Sequence, residues 1–165
     1  KKVRRAEELE QFALNDSMTG IYNRNAYDYY VRNEKQFAGY MIVTFDLNNL
    51  KQCNDHYGHR AGDAYLVNAA RIIEDNFERY GKCYRIGGDE FCVLLKNTAR
   101  EAACAEEFLR QLEKKRKELT FLPTVSCGSA PLSGEDVVAV KDQADRAMYH
   151  HKKARKEQAA AIVPE

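Results

Sequence analysis

Arg85-Ile86-Gly87-Gly88-Asp89-Glu90-Phe91 is the stretch whose reading decides the fold, because it joins two apolar runs through a glycine pair that carries two adjacent carboxylates. Residues 82–86 read as a short strand, and Phe91-Cys92-Val93-Leu94-Leu95 reads as a buried one. Between them Gly87-Gly88 can take positive φ without steric cost, the usual signal for a two-residue hairpin. Acidic residues at a hairpin tip can serve solubility, or they can hold a metal ion against a phosphate. The turn by itself leaves both readings open.

The context lies about forty residues upstream, where the apolar run Tyr40-Met41-Ile42-Val43-Thr44-Phe45 stops at Asp46. A carboxylate at the end of a buried strand is well placed to face a neighbouring hairpin, although an Asp there is also a good turn former. Hard cations such as Mg²⁺ take one or two protein carboxylates and complete their octahedron with water and substrate phosphates. Asp46, Asp89 and Glu90 supply that minimal set.

After Asp46 the chain continues Leu47-Asn48-Asn49-Leu50-Lys51-Gln52-Cys53-Asn54-Asp55-His56-Tyr57-Gly58-His59-Arg60-Ala61-Gly62-Asp63. With this stretch in place the sequence resembles the GGDEF family of diguanylate cyclases, whose pattern runs D-x-D-x-F-K-x-x-N-D-x-x-G-H-x-x-G-D and later R-x-GGDEF. Further matches carry the resemblance from about residue 16 to 156. Asp16-Ser17-Met18-Thr19-Gly20-Ile21-Tyr22-Asn23-Arg24 is similar to the opening D-x-L-T-G-L-x-N-R, and Ser126-Cys127-Gly128 to the S-x-G strand. Ala144-Asp145-Arg146-Ala147-Met148-Tyr149-His150-His151-Lys152 is similar to the A-D-x-A-L-Y-x-A-K helix.

The resemblance implies a reaction: the ribose 3′-hydroxyl of one GTP attacks the α-phosphate of another, twice, giving cyclic di-GMP and two pyrophosphates. It implies that Asp46, the backbone carbonyl of Leu47, Asp89 and Glu90 bind metal, two Mg²⁺ or Mn²⁺ ions per site, with Asp89 or Glu90 as a proton acceptor. Asn54 and Asp63 are implied for guanine, with His59 close to the nucleotide, and Lys51 and Lys152 for the phosphates. A carboxylate accepting from guanine N1 and N2 rejects an analogue without those donors by roughly 10⁴ or more in favourable cases. Without the family pattern, Asn54 would read as a loop residue, Asp63 as a helix N-cap and His59 as structural.

Four departures qualify the match. Asn48 stands where the family often has Asp, and Leu50 where Phe is usual, so altered metal affinity is expected. The closing G-R-N is Arg155-Lys156-Glu157, where Lys156 keeps a charge for phosphate without the bidentate fork of Arg. The R-x-x-D product-binding site of many members falls here on Glu78 and Gly81, so no product inhibition is expected through it. Arg85 reads as a charge balance for the acidic turn.

The chain has 165 residues, 44% hydrophobic, enough for one domain with a core. A formal net charge of +1 provides no basic field for nucleic acid, and no apolar run suits a bilayer span or signal peptide. The five cysteines, scattered singly, suit reduced core thiols and a bacterial cytoplasm, with any membrane anchor lying outside this segment. Residues 1–15 read as a charged stem helix leading from an upstream sensory domain, 16–157 as the cyclase domain, and 158–165 as a disordered tail. Helices are expected at 24–37, 63–80, 99–117 and 137–156, and strands at 39–45, 82–86, 91–95 and 123–130. This is an α/β sandwich, a mostly antiparallel sheet flanked by helices, matching the palm-like cyclase core that the resemblance implies. An active cyclase working as a dimer of two facing copies is the first functional reading. A catalytically silent GTP-binding or scaffold module regulating a neighbouring domain is the alternative.

Overall fold

The computed structural model describes residues 13–34, 36–96, 101–118, 125–132 and 136–161. Four strands, β1 (Tyr40–Leu47), β2 (Gly81–Arg85), β3 (Glu90–Leu95) and β4 (Val125–Leu132), form one sheet in the order β2-β3-β1-β4. Every pairing is antiparallel. Five helices flank it: α1 (Arg24–Asn33), α2 (Leu50–Tyr57), α3 (His59–Phe77), α4 (Glu101–Glu118) and α5 (Val137–Ala161).

The period of two along each strand divides the core into two layers. Val43, Phe45 and Leu47 of β1, with Phe91, Val93 and Leu95 of β3, pack against α3 and α4. Phe45, Phe77 and Phe108 meet there with ring centroids 4.7 to 6.3 Å apart. Each such ring, fully buried, contributes about 1.5–3 kcal/mol. The alternate residues Ile42, Cys92, Leu94 and Ala130 pack on Ala26 and Tyr27 of α1 and on Val137, Val140 and Ala144 of α5. Asn23 caps α1, its side chain accepting from the Ala26 amide at 3.0 Å.

Strands follow the expected pattern with shifts of one or two residues; helices differ more. α1 stops at Asn33, short of residue 37, and α3 begins at His59 with Asp63 inside its second turn, so Asp63 is not an N-cap. α2 has no counterpart among the expected elements. It is eight residues long, buries only Cys53, and follows Asn49 in the left-handed region (φ 62°), so it lacks an apolar period to announce it. α5 runs to Ala161, past the expected end at 156 and into the segment read as a tail. Residues 1–12 of the expected stem and 162–165 of the tail lie outside the described residues.

α5 lies unusually close to the sheet. A Cβ on Gly128 would fall 2.2 Å from the Ala144 carbonyl oxygen and 2.3 Å from the Met148 amide. Only glycine permits that approach, and it sets the height at which Lys152, one turn further along, crosses the end of β1.

Candidate active site

The hairpin is wider than the sequence implies. β2 ends at Arg85 and β3 begins at Glu90, leaving four residues between them, and neither Gly87 nor Gly88 lies in the left-handed region. Its shape comes from Arg85 instead. The guanidinium donates to the Gly88 carbonyl at 2.7 and 3.2 Å and to both carboxylate oxygens of Asp16 at 3.1 and 3.2 Å. Asp16 also accepts from the amide and hydroxyl of Thr19 at 2.8 and 2.7 Å. Burial alone would raise the Asp16 carboxyl; the Thr19 and Arg85 hydrogen bonds outweigh it and hold it below the usual carboxylate range. Arg85 therefore clamps the turn to the segment that opens the domain, more than the charge balance read from sequence. The D-x-x-T-G spacing carries the signal for this clamp.

The turn delivers Asp89 to β1. The Leu47 amide donates to the Asp89 carbonyl at 3.0 Å, and Glu90 is the register partner of Asp46. The Asp89 carboxyl is raised above its ordinary value, first by burial and then by the negative charge of Asp46 beside it. The Asp46 carboxylate is bonded by Lys152 Nζ at 2.6 Å, with the Asp46 side chain 14% exposed. Asp46, Asp89 and Lys152 thus meet, while Glu90 projects an exposed side chain from the first position of β3. Among the described residues no three His, Cys, Asp or Glu side chains gather closely enough to hold a metal ion in this arrangement.

Asn48 takes no part in that acidic set. Its amide donates to Ser126 Oγ at 3.0 Å, and the Ser126 hydroxyl is 3.2 Å from Asn48 Oδ1, a buried pair that ties the end of β1 to β4. The oxygen expected to stand in for a family carboxylate is thus turned toward Ser126.

The second cluster is built by α2 and α3. Asn54 Oδ1 is buried without a hydrogen-bond partner among the described residues, which for a strong acceptor costs about 1–3 kcal/mol. It fits there because residue 62 is glycine: a Cβ would lie 1.8 Å from that oxygen. The oxygen is covered by α3 at Gly62, so a base N–H reaches it only if the Asn54 amide turns outward. Lys51, His59 and Asp63 are exposed at the starts of α2 and α3 and make no hydrogen bond or ion pair among the described residues. Lys156 falls in α5, but its side chain lies outside the described residues.

An antiparallel sheet between helices, with an acidic pair at the end of one of its inner strands, defines the class of this α/β domain. Residues 13–158 match the family described as diguanylate cyclase, GGDEF domain, and the chain belongs to that family. The cyclic di-GMP phosphodiesterase PdeR of Escherichia coli is 35% identical over 98% of this chain and 26% of its own length. The diguanylate cyclase DgcS of Shewanella oneidensis is 28% identical over 88% of this chain and 52% of its own. Diguanylate cyclase SiaD of Pseudomonas aeruginosa, solved with its activator SiaC, superposes with a TM-score of 0.77 at 26% identity, covering 93% of this chain and 64% of that one. The chain thus spans a quarter to a half of these two curated relatives, one carrying the name of cyclic di-GMP synthesis and the other that of its breakdown. No helix among the described residues is long and apolar enough to cross a membrane.

Proposed function

We propose that this domain is a diguanylate cyclase that joins two GTP molecules into cyclic di-GMP. The observation that carries the reading is the meeting of Asp46, Asp89 and Lys152 at the end of β1, with the unmatched Asn54 oxygen on the helix that follows. The donor set suits a hard cation: two carboxylates already compete for one ammonium, and Glu90 is the register partner of Asp46. Mg²⁺ or Mn²⁺, two per site in this reading, would be held by Asp46, Leu47, Asp89 and Glu90 and would supply charge neutralisation on the phosphates.

The chain's own groups do the rest. Asn54 and Asp63 accept from guanine, with His59 beside the nucleotide, while Lys51, Lys152 and Lys156 meet phosphate oxygens as point charges. Asp89 or Glu90 takes the proton of the attacking 3′-hydroxyl. The new P–O bond forms at the α-phosphorus as the bond to pyrophosphate breaks, and the exchange occurs twice. Each copy offers one such site, so two copies face one another and proximity does much of the catalysis. An upstream sensory domain in the longer protein would control that encounter.

A second reading, a GTP-binding module without turnover, draws on one observation: Asp46 is already engaged by Lys152, and among the described residues no metal-ready cluster is gathered. Incubating concentrated protein with Mg²⁺ and GTP and separating the products distinguishes them. Cyclic di-GMP formation at a rate rising with protein concentration is the expected result. GTP binding without any product at high protein concentration would establish the second reading instead.

A further inference from the structure

The Lys152 ammonium is a cation that the chain itself brings to the end of β1, 2.6 Å from Asp46 Oδ2, and Asp89 is close enough to feel both charges. The two members of this ion pair differ in freedom. Asp46 stands in a strand paired on both sides, opposite Glu90 of β3 and Ser126 of β4, and its side chain is 14% exposed. Lys152 reaches it on a flexible four-carbon stem, and 33% of that side chain is exposed, so the ammonium can leave without disturbing the core. The helix that carries it is held. A Cβ at Gly128 would fall 2.2 Å from the Ala144 carbonyl oxygen, and the neighbouring Cys127 amide donates to His151 Nδ1 at 3.2 Å. α5 is thus pinned to β4 at the residue before Lys152, which leaves the lysine stem as the moving part.

We propose that Lys152 is a built-in counterion that holds the place of the divalent cation at Asp46 until a nucleotide binds, so that cation and nucleotide are taken up together. The inference rests on the reading of this site as one that uses GTP, and adds the order in which its ligands enter. An ammonium and a dication cannot share one carboxylate at hydrogen-bond distance without strong repulsion. A divalent ion arriving alone must send the ammonium back into water, so Asp46 loses one cation as it gains another, and Mg²⁺ gives up its own hydration reluctantly. A nucleotide changes that balance. Its phosphates offer the ammonium a new charged acceptor and offer the ion further oxygens.

Mn²⁺ titrated into the chain without nucleotide, its free form followed by electron paramagnetic resonance, provides the test. Lys152→Met should bind Mn²⁺ about tenfold or more tighter than the parent, the worth of removing a unit charge beside the ion. Lys152→Arg keeps the charge and should bind as weakly as the parent. Adding Asp46→Asn to Lys152→Met should cancel the gain, since the ion then lacks the carboxylate that Lys152 had covered. With the unreactive α,β-methylene analogue of GTP the order should reverse, its Mn²⁺ complex binding the parent more tightly than Lys152→Met because the ammonium then meets phosphate. Lys152→Met leaves Asp46 without its cation, so it should melt below the parent in metal-free buffer and recover more with Mn²⁺. If that variant does not fold, Lys152→Gln keeps a donor for Asp46 without the charge and should show the same gain. Equal Mn²⁺ affinity in the parent and the neutral variants, a gain in Lys152→Arg as large as theirs, or a gain that survives Asp46→Asn would each overturn the proposal. These readouts need no turnover: absence of cyclic di-GMP in the incubation above would leave the Mn²⁺ comparison standing, and equal Mn²⁺ affinities would leave that incubation standing.

Discussion

At the end of β1 the charged groups are matched inside the domain, Asp46 by Lys152 at 2.6 Å and the hairpin by Arg85, whereas at the starts of α2 and α3 Lys51, His59 and Asp63 stand exposed and Asn54 Oδ1 is buried without a partner among the described residues. The difference reflects what each kind of group tolerates. A partly buried carboxylate pair is costly unless a cation sits with it, so the fold supplies one of its own. A neutral amide costs far less to leave waiting, and waiting preorganises it for a ligand. Under the proposed function, the acidic half would exchange a partner when substrate arrives, while the Asn54 half would gain one.

Breaking the acidic half should give the largest effect. Asp46→Asn is expected to lower cyclic di-GMP synthesis by about 10³-fold or more, as loss of several kcal/mol of phosphate charge stabilisation would. Circular dichroism should show the fold retained. Asp89→Asn should be as inactive and also more stable at neutral pH. The raised Asp89 carboxyl means folding disfavours its ionised form, so stability falls as pH climbs from the unfolded value toward the folded one, and the amide removes that loss. A melting temperature at or below that of the parent would contradict this.

The open half sharpens the contrast through Gly62→Ala. The methyl group would displace the Asn54 amide from its notch. The Kd for GTP should rise roughly tenfold to a hundredfold, the worth of a buried hydrogen bond to the base. Thermal stability should stay level or improve, since Ala exceeds Gly in helix propensity by up to about 1 kcal/mol. Affinity loss with stability intact marks a recognition defect; joint loss would mean that the notch is ordinary packing.

The link between the turn and the domain's first segment should give smaller effects. Arg85→Met removes donors from Gly88 and Asp16 and is expected to cost about 1–3 kcal/mol of unfolding free energy, read by urea titration. Asp16 adds a pH signature. Its folded carboxyl is lowered, so its stabilisation is complete above the unfolded value near pH 3.9 and disappears as pH falls through the folded one. Asp16→Asn should flatten the acid limb of the stability curve, and an unchanged limb would remove Asp16 from the clamp.

The sheet was legible because its inner strands are continuous apolar runs buried on both faces, Val43 and Phe45 in one layer and Ile42 in the other. α2 was not, since an eight-residue helix with only Leu50, Cys53 and Tyr57 as its less polar positions is too short to establish a period. Family spacing identified Asp46 and Asp89, but it could not reveal that Lys152 bonds Asp46 or that Asn48 turns to Ser126. Those outcomes depend on the β1–β4 pairing and on the close approach of α5 at Gly128, both set through space rather than through sequence neighbours. Asn54 gave no sign of its buried oxygen because the residue that makes room for it is a full two turns of chain away, on another helix.

β4 is an edge strand, and at Cys127 its outward amide donates to His151 Nδ1 of α5 at 3.2 Å. An edge whose donor is already taken offers a poor template for another chain's strand at that point. The sheet's other edge is β2, so this closure acts at one position of one edge.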